Sequence, residues 1–270
     1  MRIDPYSSAA RHLLWADWQA AAATQQTLRL YALLDHAFHH GKRHRLTTLG
    51  RWLSLYAGQP GATPEISPLL QHLAQPGDPL PALAVQLLEQ TCGQPSLSFL
   101  ASPLSAEQLQ QHFAHYADVT ILPERTRYLL RYADTRILPQ LLLALDAPQQ
   151  AELLAPIHTW WYFDRAGQIQ SITGSNQARI ARQGLTLGEA QSGALLDSSY
   201  PDTLAHSLRQ MHSLAGHLPA QPAALHALSQ RLYREALGQG LLEHPDILGY
   251  AAARLEPAAV GQPGKQDTHE

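Results

Sequence analysis

A charged motif enclosed by apolar segments is the feature that most constrains how this chain can fold. The stretch from Thr126 to Phe163 is rich in Leu, Tyr and Trp, yet it places Arg131, Asp134 and Arg136 close together. An unpaired charge in a buried position costs several kcal/mol, so these side chains need partners wherever the flanking segments pack. We therefore expect this stretch to form a strand, a charged turn, two helices and an aromatic strand.

A second constraint comes from an apolar run that ends in a carboxylate. Residues 28–35 read Leu-Arg-Leu-Tyr-Ala-Leu-Leu-Asp, and this length and composition are typical of a buried strand. Two interpretations of Asp35 remain open. It can cap the following turn or pair with an arginine, which is the interpretation we favour, or it can be a catalytic carboxylate at a strand end, as in many α/β enzymes.

The alternation of apolar strands with helices predicts the fold class. We expect an α/β protein, with α+β as the alternative, in which a mixed β-sheet is flanked by helices and followed by an all-helical C-terminal lobe. A further helix is expected over residues 46–56. The composition changes near Gly174, so the predicted domains are residues 1–174 (α/β lobe), 175–256 (helical lobe) and 257–270 (flexible tail). Helices are expected in the second lobe at about 186–195, 201–214, 222–238 and 244–255.

Composition excludes several classes of protein. The net charge of -3 argues against a nucleic-acid-binding protein, and the one cysteine, Cys92, can form neither a disulfide within the chain nor a cysteine-based zinc site. There is no run of about 18 apolar residues and no signal-peptide core at the N-terminus. The expectation is a cytoplasmic protein without membrane insertion and without a cofactor.

A basic segment without acidic residues runs from His36 to Pro64. His36, His39 and His40 have the spacing of metal ligands on a helix, but no carboxylate or cysteine completes a site nearby, so we predict no metal. The remaining interpretations are a solvated connection and a surface that binds an acidic partner. The candidate partner-binding residues of this segment are Arg43, Arg45 and Arg51.

Sequence signatures of common enzymes are absent. The chain has no Gly-x-Ser-x-Gly elbow, no Walker loop, no Gly-x-Gly-x-x-Gly and no His-Glu-x-x-His. A catalytic triad needs only to meet in space, so its members cannot be read from spacing alone. On this basis we predict no catalytic residues.

Two separated pieces of the sequence resemble the type VI secretion adaptor family. The pieces are Tyr31–Asp35 and Leu130–Leu138, the second with the core Arg-Tyr-x-Asp-x-Arg. These adaptors, also called effector chaperones, carry the domain-of-unknown-function family 4123, and the resemblance covers roughly residues 28 to 163. The family usually has Pro after the motif's Asp where this chain has Thr135, and we expect Thr135 to cap the helix that follows.

The resemblance implies a non-enzymatic role. Such adaptors bind an effector toxin in the producing bacterium and deliver it to the spike protein of the secretion apparatus. The residues that match the family's signatures are Tyr31, Asp35, Arg131, Tyr132, Asp134 and Arg136. Because arginine offers forked donors to carboxylates, we expect the two aspartates and two arginines of this set to form one ion-pair network.

Two other functions and one binding surface complete the predictions. The alternatives to the adaptor are a small-molecule hydrolase that uses Asp35 and a nearby His, and an interaction module unrelated to secretion. An adaptor needs an apolar binding patch, which we place on the helical lobe, although the same side chains can instead form that lobe's own core. The candidates there are Leu204, Leu208, Met211, Leu228, Leu232 and Tyr233.

Overall fold

The computed structural model describes residues 2–39, 46–63, 65–214 and 216–255. It confirms the predicted fold class, since a β-sheet is flanked by helices and a helical region follows it. Within the described residues, the main sheet has six strands, and every neighbouring pair is antiparallel. A smaller sheet has three strands and contains one parallel pair.

The elements are numbered in chain order. The strands are β1 Arg29–Asp35, β2 Leu53–Ser54, β3 Pro68–Ala74, β4 Leu97–Ser102, β5 Asp118–Ile121, β6 Thr126–Leu129, β7 Thr159–Phe163, β8 Ile169–Thr173 and β9 Leu185–Leu187. The helices are α1 Ala10–Thr24, α2 Ala82–Gln90, α3 Ala106–Ala114, α4 Leu138–Ala144, α5 Ala147–Leu153, α6 Glu189–Gln210, α7 Pro222–Gly238 and α8 His244–Leu255. The strand order is β2-β3-β1-β4-β7-β8 in the main sheet and β6-β5-β9 in the smaller sheet, where β5 and β9 are parallel.

The central strand β1 is buried on both faces. Tyr31 and Leu33 belong to one hydrophobic cluster, while Leu30, Ala32 and Leu34 belong to a second cluster on the opposite face. Side chains alternate between the faces of a strand, so helices on both sides of the sheet make the whole run apolar. The first cluster includes residues of α3, α4 and α5, and the second includes residues of α1 and α2.

The segment between β8 and α6 corrects one expectation. We predicted only helices after residue 174, but residues 185–187 form β9, whose Leu185 and Leu187 are buried in the same core as α3. The chain forms two compact units, and the boundary between them falls between Ser199 and Tyr200, which is later than the expected boundary near residue 175. Because Leu185 and Leu187 are buried in the core that contains α3, this segment belongs to the first unit. Sequence periodicity does not report a tertiary contact of this kind. The predicted tail at 257–270 lies outside the described residues.

The second compact unit begins within α6 and contains α7 and α8. The helices predicted at 186–195 and 201–214 are one helix, α6, with Pro201 inside it and buried. The core of this unit is formed by Leu204 and Leu208 of α6, Leu232 and Tyr233 of α7, and residues of α8. A stacked pair, Tyr200 on Tyr233 with ring centroids 4.3 Å apart, extends this core.

The helix predicted over residues 46–56 is wrong. A 3₁₀ turn covers Leu46–Leu49, and the chain then extends into β2, which pairs with β3. Leu55 and Tyr56 follow β2 and are buried in the core. The backbone N–H of Tyr56 donates to the hydroxyl of Ser67 at 3.3 Å. Pairing with a neighbouring strand has therefore overridden the local helix pattern.

Candidate functional site

The structure brings the four charged residues of the sequence motif together. Arg131 follows β6, and its Nη2 lies 2.7 Å from Oδ2 of Asp35 at the end of β1. The Asp35 carboxylate also accepts a hydrogen bond from the backbone N–H of Ala37 at 3.1 Å, and this caps a 3₁₀ turn. Both structural roles proposed for Asp35, capping and pairing with an arginine, therefore occur together.

Asp134 is the most deeply buried member of the network. Its side chain has no exposed area, and Arg136 binds it in a fork, with Nε 3.0 Å from Oδ1 and Nη2 2.7 Å from Oδ2. The backbone N–H of Arg136 donates to Oδ1 as well, at 3.0 Å. Nη2 of Arg131 lies 3.7 Å from Oδ2 of Asp134. The network thus alternates in sign as Asp35–Arg131–Asp134–Arg136 and carries no net charge.

Phe38 is a member of this site that the sequence did not reveal. The guanidinium carbon of Arg131 lies 4.9 Å from the ring centroid of Phe38, and that of Arg136 lies 5.5 Å from it. Cation–π contacts at this distance hold the two guanidiniums beside the ring. Phe38 follows Asp35 by three positions, but nothing in the sequence pattern links an isolated aromatic residue to arginines so distant in the chain.

Exposure differs sharply across the network. The side chain of Arg131 is 42% exposed, that of Arg136 is 10% exposed, and those of both aspartates are buried. Burial raises the pKa of Asp35 above its ordinary value, and the neighbouring Arg131 offsets part of that rise. The network therefore presents one arginine to solvent and keeps its carboxylates inside.

The two motif tyrosines lie in the hydrophobic core. Tyr31 is buried on β1 and donates its hydroxyl to the carbonyl of Leu104 at 2.7 Å. Tyr132 is buried and stacks on Phe113 with ring centroids 5.2 Å apart. Both side chains belong to the core that the motif helps to position.

The expected cap from Thr135 is wrong. Helix α4 has Ile137 at its N-cap position, without a side-chain cap. The carbonyl of Asp134 accepts the N–H groups of Ile137 and Leu138 at 2.9 and 3.0 Å. Thr135 is buried, and its hydroxyl has no hydrogen-bond partner among the residues that the structure describes. Its backbone N–H donates instead to the carbonyl of Pro95 at 3.0 Å.

One histidine of the segment proposed for a hydrolase, His39, lies in the interior of the first unit. His39 is 5% exposed, and its Nε2 lies 2.7 Å from the hydroxyl of Ser96, which is fully buried. A serine and histidine within hydrogen-bond distance can form a nucleophile and base, but a substrate must be able to reach the serine. The Asp35 carboxylate is held by Arg131 and by the backbone N–H of Ala37.

The remaining predicted positions fall into two groups. Arg43 and Arg45, with His40, lie outside the described residues, while Arg51 is exposed. In the described part of the chain, no group of three or more His, Cys, Asp or Glu side chains is placed to hold a metal ion.

The apolar candidates of the second unit are mostly core residues. Leu204 and Leu208 have no exposed area, and Leu232 and Tyr233 are 3% and 9% exposed. Met211 and Leu228 pack against the same core. The first four therefore offer almost no surface to a partner, and this burial argues against their assignment as partner-binding residues. The pattern that marks a helix's apolar face cannot distinguish a face buried within its own unit from a binding face.

Comparisons with known proteins find one similarity, which lies within the first unit. None of the described helices is long and apolar enough to cross a membrane. No curated protein and no solved structure matches the chain significantly. A family model described as a domain of unknown function, DUF4123, matches residues 30–152, from β1 to α5, and this range contains all four charged residues of the network. Over this range the chain is therefore similar to the DUF4123 family.

Proposed function

We propose that this protein is a non-enzymatic adaptor that acts in the bacterial cytoplasm. It binds an effector toxin and loads it onto the spike protein of a type VI secretion apparatus. The observation that carries the proposal is the family match over residues 30–152, together with the resemblance of its two signatures to those of secretion adaptors.

The geometry of the motif supports a structural role for its charges. Each buried aspartate is bound by an arginine, and Asp134 is held by two side-chain hydrogen bonds and one backbone N–H. Groups engaged in this way fix the end of β1 against the turn before α4. On this proposal the motif stabilises the domain, and the partners bind to other surfaces.

The direct test is affinity purification from the native host. The tagged chain, expressed from its own locus, should enrich both a spike protein and an effector over a tag-only control, as identified by mass spectrometry. Recovery of neither protein would overturn the proposal. Recovery of a partner that is not associated with secretion would favour an interaction module instead.

A matched pair of variants tests whether the two units bind different partners. Leu143 in the first unit and Leu242 in the second are 79% and 75% exposed, so Leu143→Glu and Leu242→Glu should leave folding intact. Single exposed leucines are common on protein surfaces, and only one inside an interface affects binding when it becomes charged. Loss of the effector in one variant and of the spike in the other would assign each partner to its unit.

A further inference from the structure

Strand β8 forms one end of the main sheet, away from the charged network. It pairs with β7 on one side, and no strand of the described chain pairs with its other side. A strand in this position presents a row of unpaired backbone N–H and C=O groups, which another strand can bind. The sequence of β8 is Ile-Gln-Ser-Ile-Thr, with neither a charged residue nor a proline.

The ladder between β7 and β8 decides which backbone groups face the free edge. The N–H of Gly174 donates to the carbonyl of His158 at 3.2 Å, in register with the pairs of this ladder. Hydrogen-bonded and non-hydrogen-bonded pairs alternate in an antiparallel ladder, so every second residue before Gly174 directs its backbone groups towards β7. The residues between them, Ile169, Ser171 and Thr173, direct their N–H and C=O groups outward. None of these groups is bonded to another part of the described chain.

The free edge has defined ends. Before β8, the carbonyl of Gly167 accepts the N–H of Ser7 at 3.0 Å, and after it the N–H of Ser175 donates to the carbonyl of Leu154 at 3.3 Å. Backbone groups at both ends are therefore occupied by the chain itself. The open part is the five residues of β8, which span about 17 Å and have Ser171 at their centre.

The other strands at sheet ends carry features that discourage pairing. In the described chain, β2 has only two residues and β9 only three, and β6 carries the exposed Arg127. Short strands and charged side chains are the usual means by which proteins protect a sheet edge. Strand β8 has neither, although Gln170, Ser171 and Thr173 are exposed. Its edge is therefore open to a further strand.

The outward-facing residues are arranged symmetrically about Ser171. If two copies of β8 pair antiparallel around a two-fold axis at this residue, Ser171 faces its own counterpart and Ile169 faces Thr173 of the second copy. Every outward-facing residue then meets another one, and the two edges form a ladder of about six hydrogen bonds. No like charges oppose each other, because β8 carries none. The edge also has no charge that would select an oppositely charged foreign strand.

From this geometry we infer that the edge of β8 is a dimer interface, through which the main sheets of two copies of this chain join into one continuous antiparallel sheet. Two-fold symmetric dimers are the commonest oligomers of identical chains. A contact about 17 Å long is small for a protein interface, so the dimer is a weak one, with a dissociation constant roughly in the micromolar range. The inference does not depend on the role in secretion, because the purified chain alone tests it.

The test is sedimentation equilibrium of the full-length chain from micromolar to millimolar concentration. We expect a reversible monomer–dimer equilibrium. Ser171→Pro removes the N–H that each copy donates across the axis and should weaken association about thirtyfold, since each of the two lost hydrogen bonds contributes roughly fivefold. In the monomer this N–H faces solvent, a position in which an edge strand tolerates proline, so urea unfolding of the dilute variant should match that of the wild type.

Two charged variants test the symmetry without proline. Ser171→Asp and Ser171→Lys should each dimerise more weakly than the wild type, because like charges then face each other across the axis. An equimolar mixture of the two should associate more tightly than either variant alone. Thr126→Lys, at an exposed position of β6, should leave association unchanged.

Four results would each overturn the inference. They are a chain that stays monomeric up to millimolar concentration, undiminished association of Ser171→Pro, a mixture that associates no more tightly than the separate charged variants, and an equal loss of association in Thr126→Lys.

Discussion

Replacing Asp134 with Asn should destabilise the first unit strongly. The substitution keeps the shape of the side chain but removes its charge, which leaves Arg136 only 10% exposed and without its bidentate carboxylate. Breaking a buried ion pair by removing one partner costs about 3–5 kcal/mol. For a unit of this size, that cost lowers the melting temperature by roughly 10 °C.

Asp35→Asn is the matched comparison. Its partner Arg131 is 42% exposed, so water can solvate the guanidinium once the carboxylate is lost. Burial also raises the pKa of Asp35, which means that the fold already disfavours its charged form. We expect Asp35→Asn to cost about 1–2 kcal/mol, clearly less than Asp134→Asn.

Urea unfolding followed by tryptophan fluorescence is a suitable assay. All five tryptophans precede residue 199, so the signal reports on the first unit alone. Adding Arg136→Met to Asp134→Asn should recover part of the stability, because the guanidinium that lost the Asp134 carboxylate is then removed as well.

Equal losses from the two aspartate substitutions would refute this reasoning. So would a double variant no more stable than Asp134→Asn alone. If Asp134→Asn unfolded like the wild type but lost its partners in affinity purification, the motif would be a binding surface and not a structural one.

Three further predictions concern buried or crowded positions in the first unit. Burial lowers the pKa of His112 from 6.5 to about 4. Between pH 6.5 and pH 4 the unfolded state therefore binds more protons than the folded state, and the free energy of unfolding should fall by about 3 kcal/mol as the pH falls through this window. In urea unfolding across that window, the free energy of unfolding of His112→Gln should depend less on pH than that of the wild type. An identical pH dependence in the two proteins would contradict the prediction. Thr135→Val removes a buried hydroxyl without a described partner and should stabilise by about 1 kcal/mol, whereas a loss measured by urea unfolding would indicate a hidden partner. Gly167→Ala places a Cβ 2.1 Å from the carbonyl oxygen of Pro5 at a φ of +69°, while Gly58→Ala, at +81°, meets no atom within 4 Å. The first should therefore cost well over the roughly 1 kcal/mol expected of the second, and equal thermal shifts would count against the crowding.

Local patterns were sufficient where one segment carries its own signal. The apolar run ending at Asp35 formed β1, as its length and composition predicted. The segment 46–56 failed as a helix because its pairing partner, β3, lies elsewhere in the chain. For the same reason β9 was missed, since a strand of three residues is defined by its neighbour β5 and not by periodicity.

By itself, the sequence determined that Arg131, Asp134 and Arg136 required partners, because charges enclosed by apolar segments cannot remain unpaired. It also indicated the family through two separated signatures. Only the tertiary structure decided that Asp35 reaches Arg131, that Phe38 lies beside both guanidiniums, and that the leucines of the second unit face inward. These are contacts between distant segments, and they depend on how strands and helices pack, which no local spacing records.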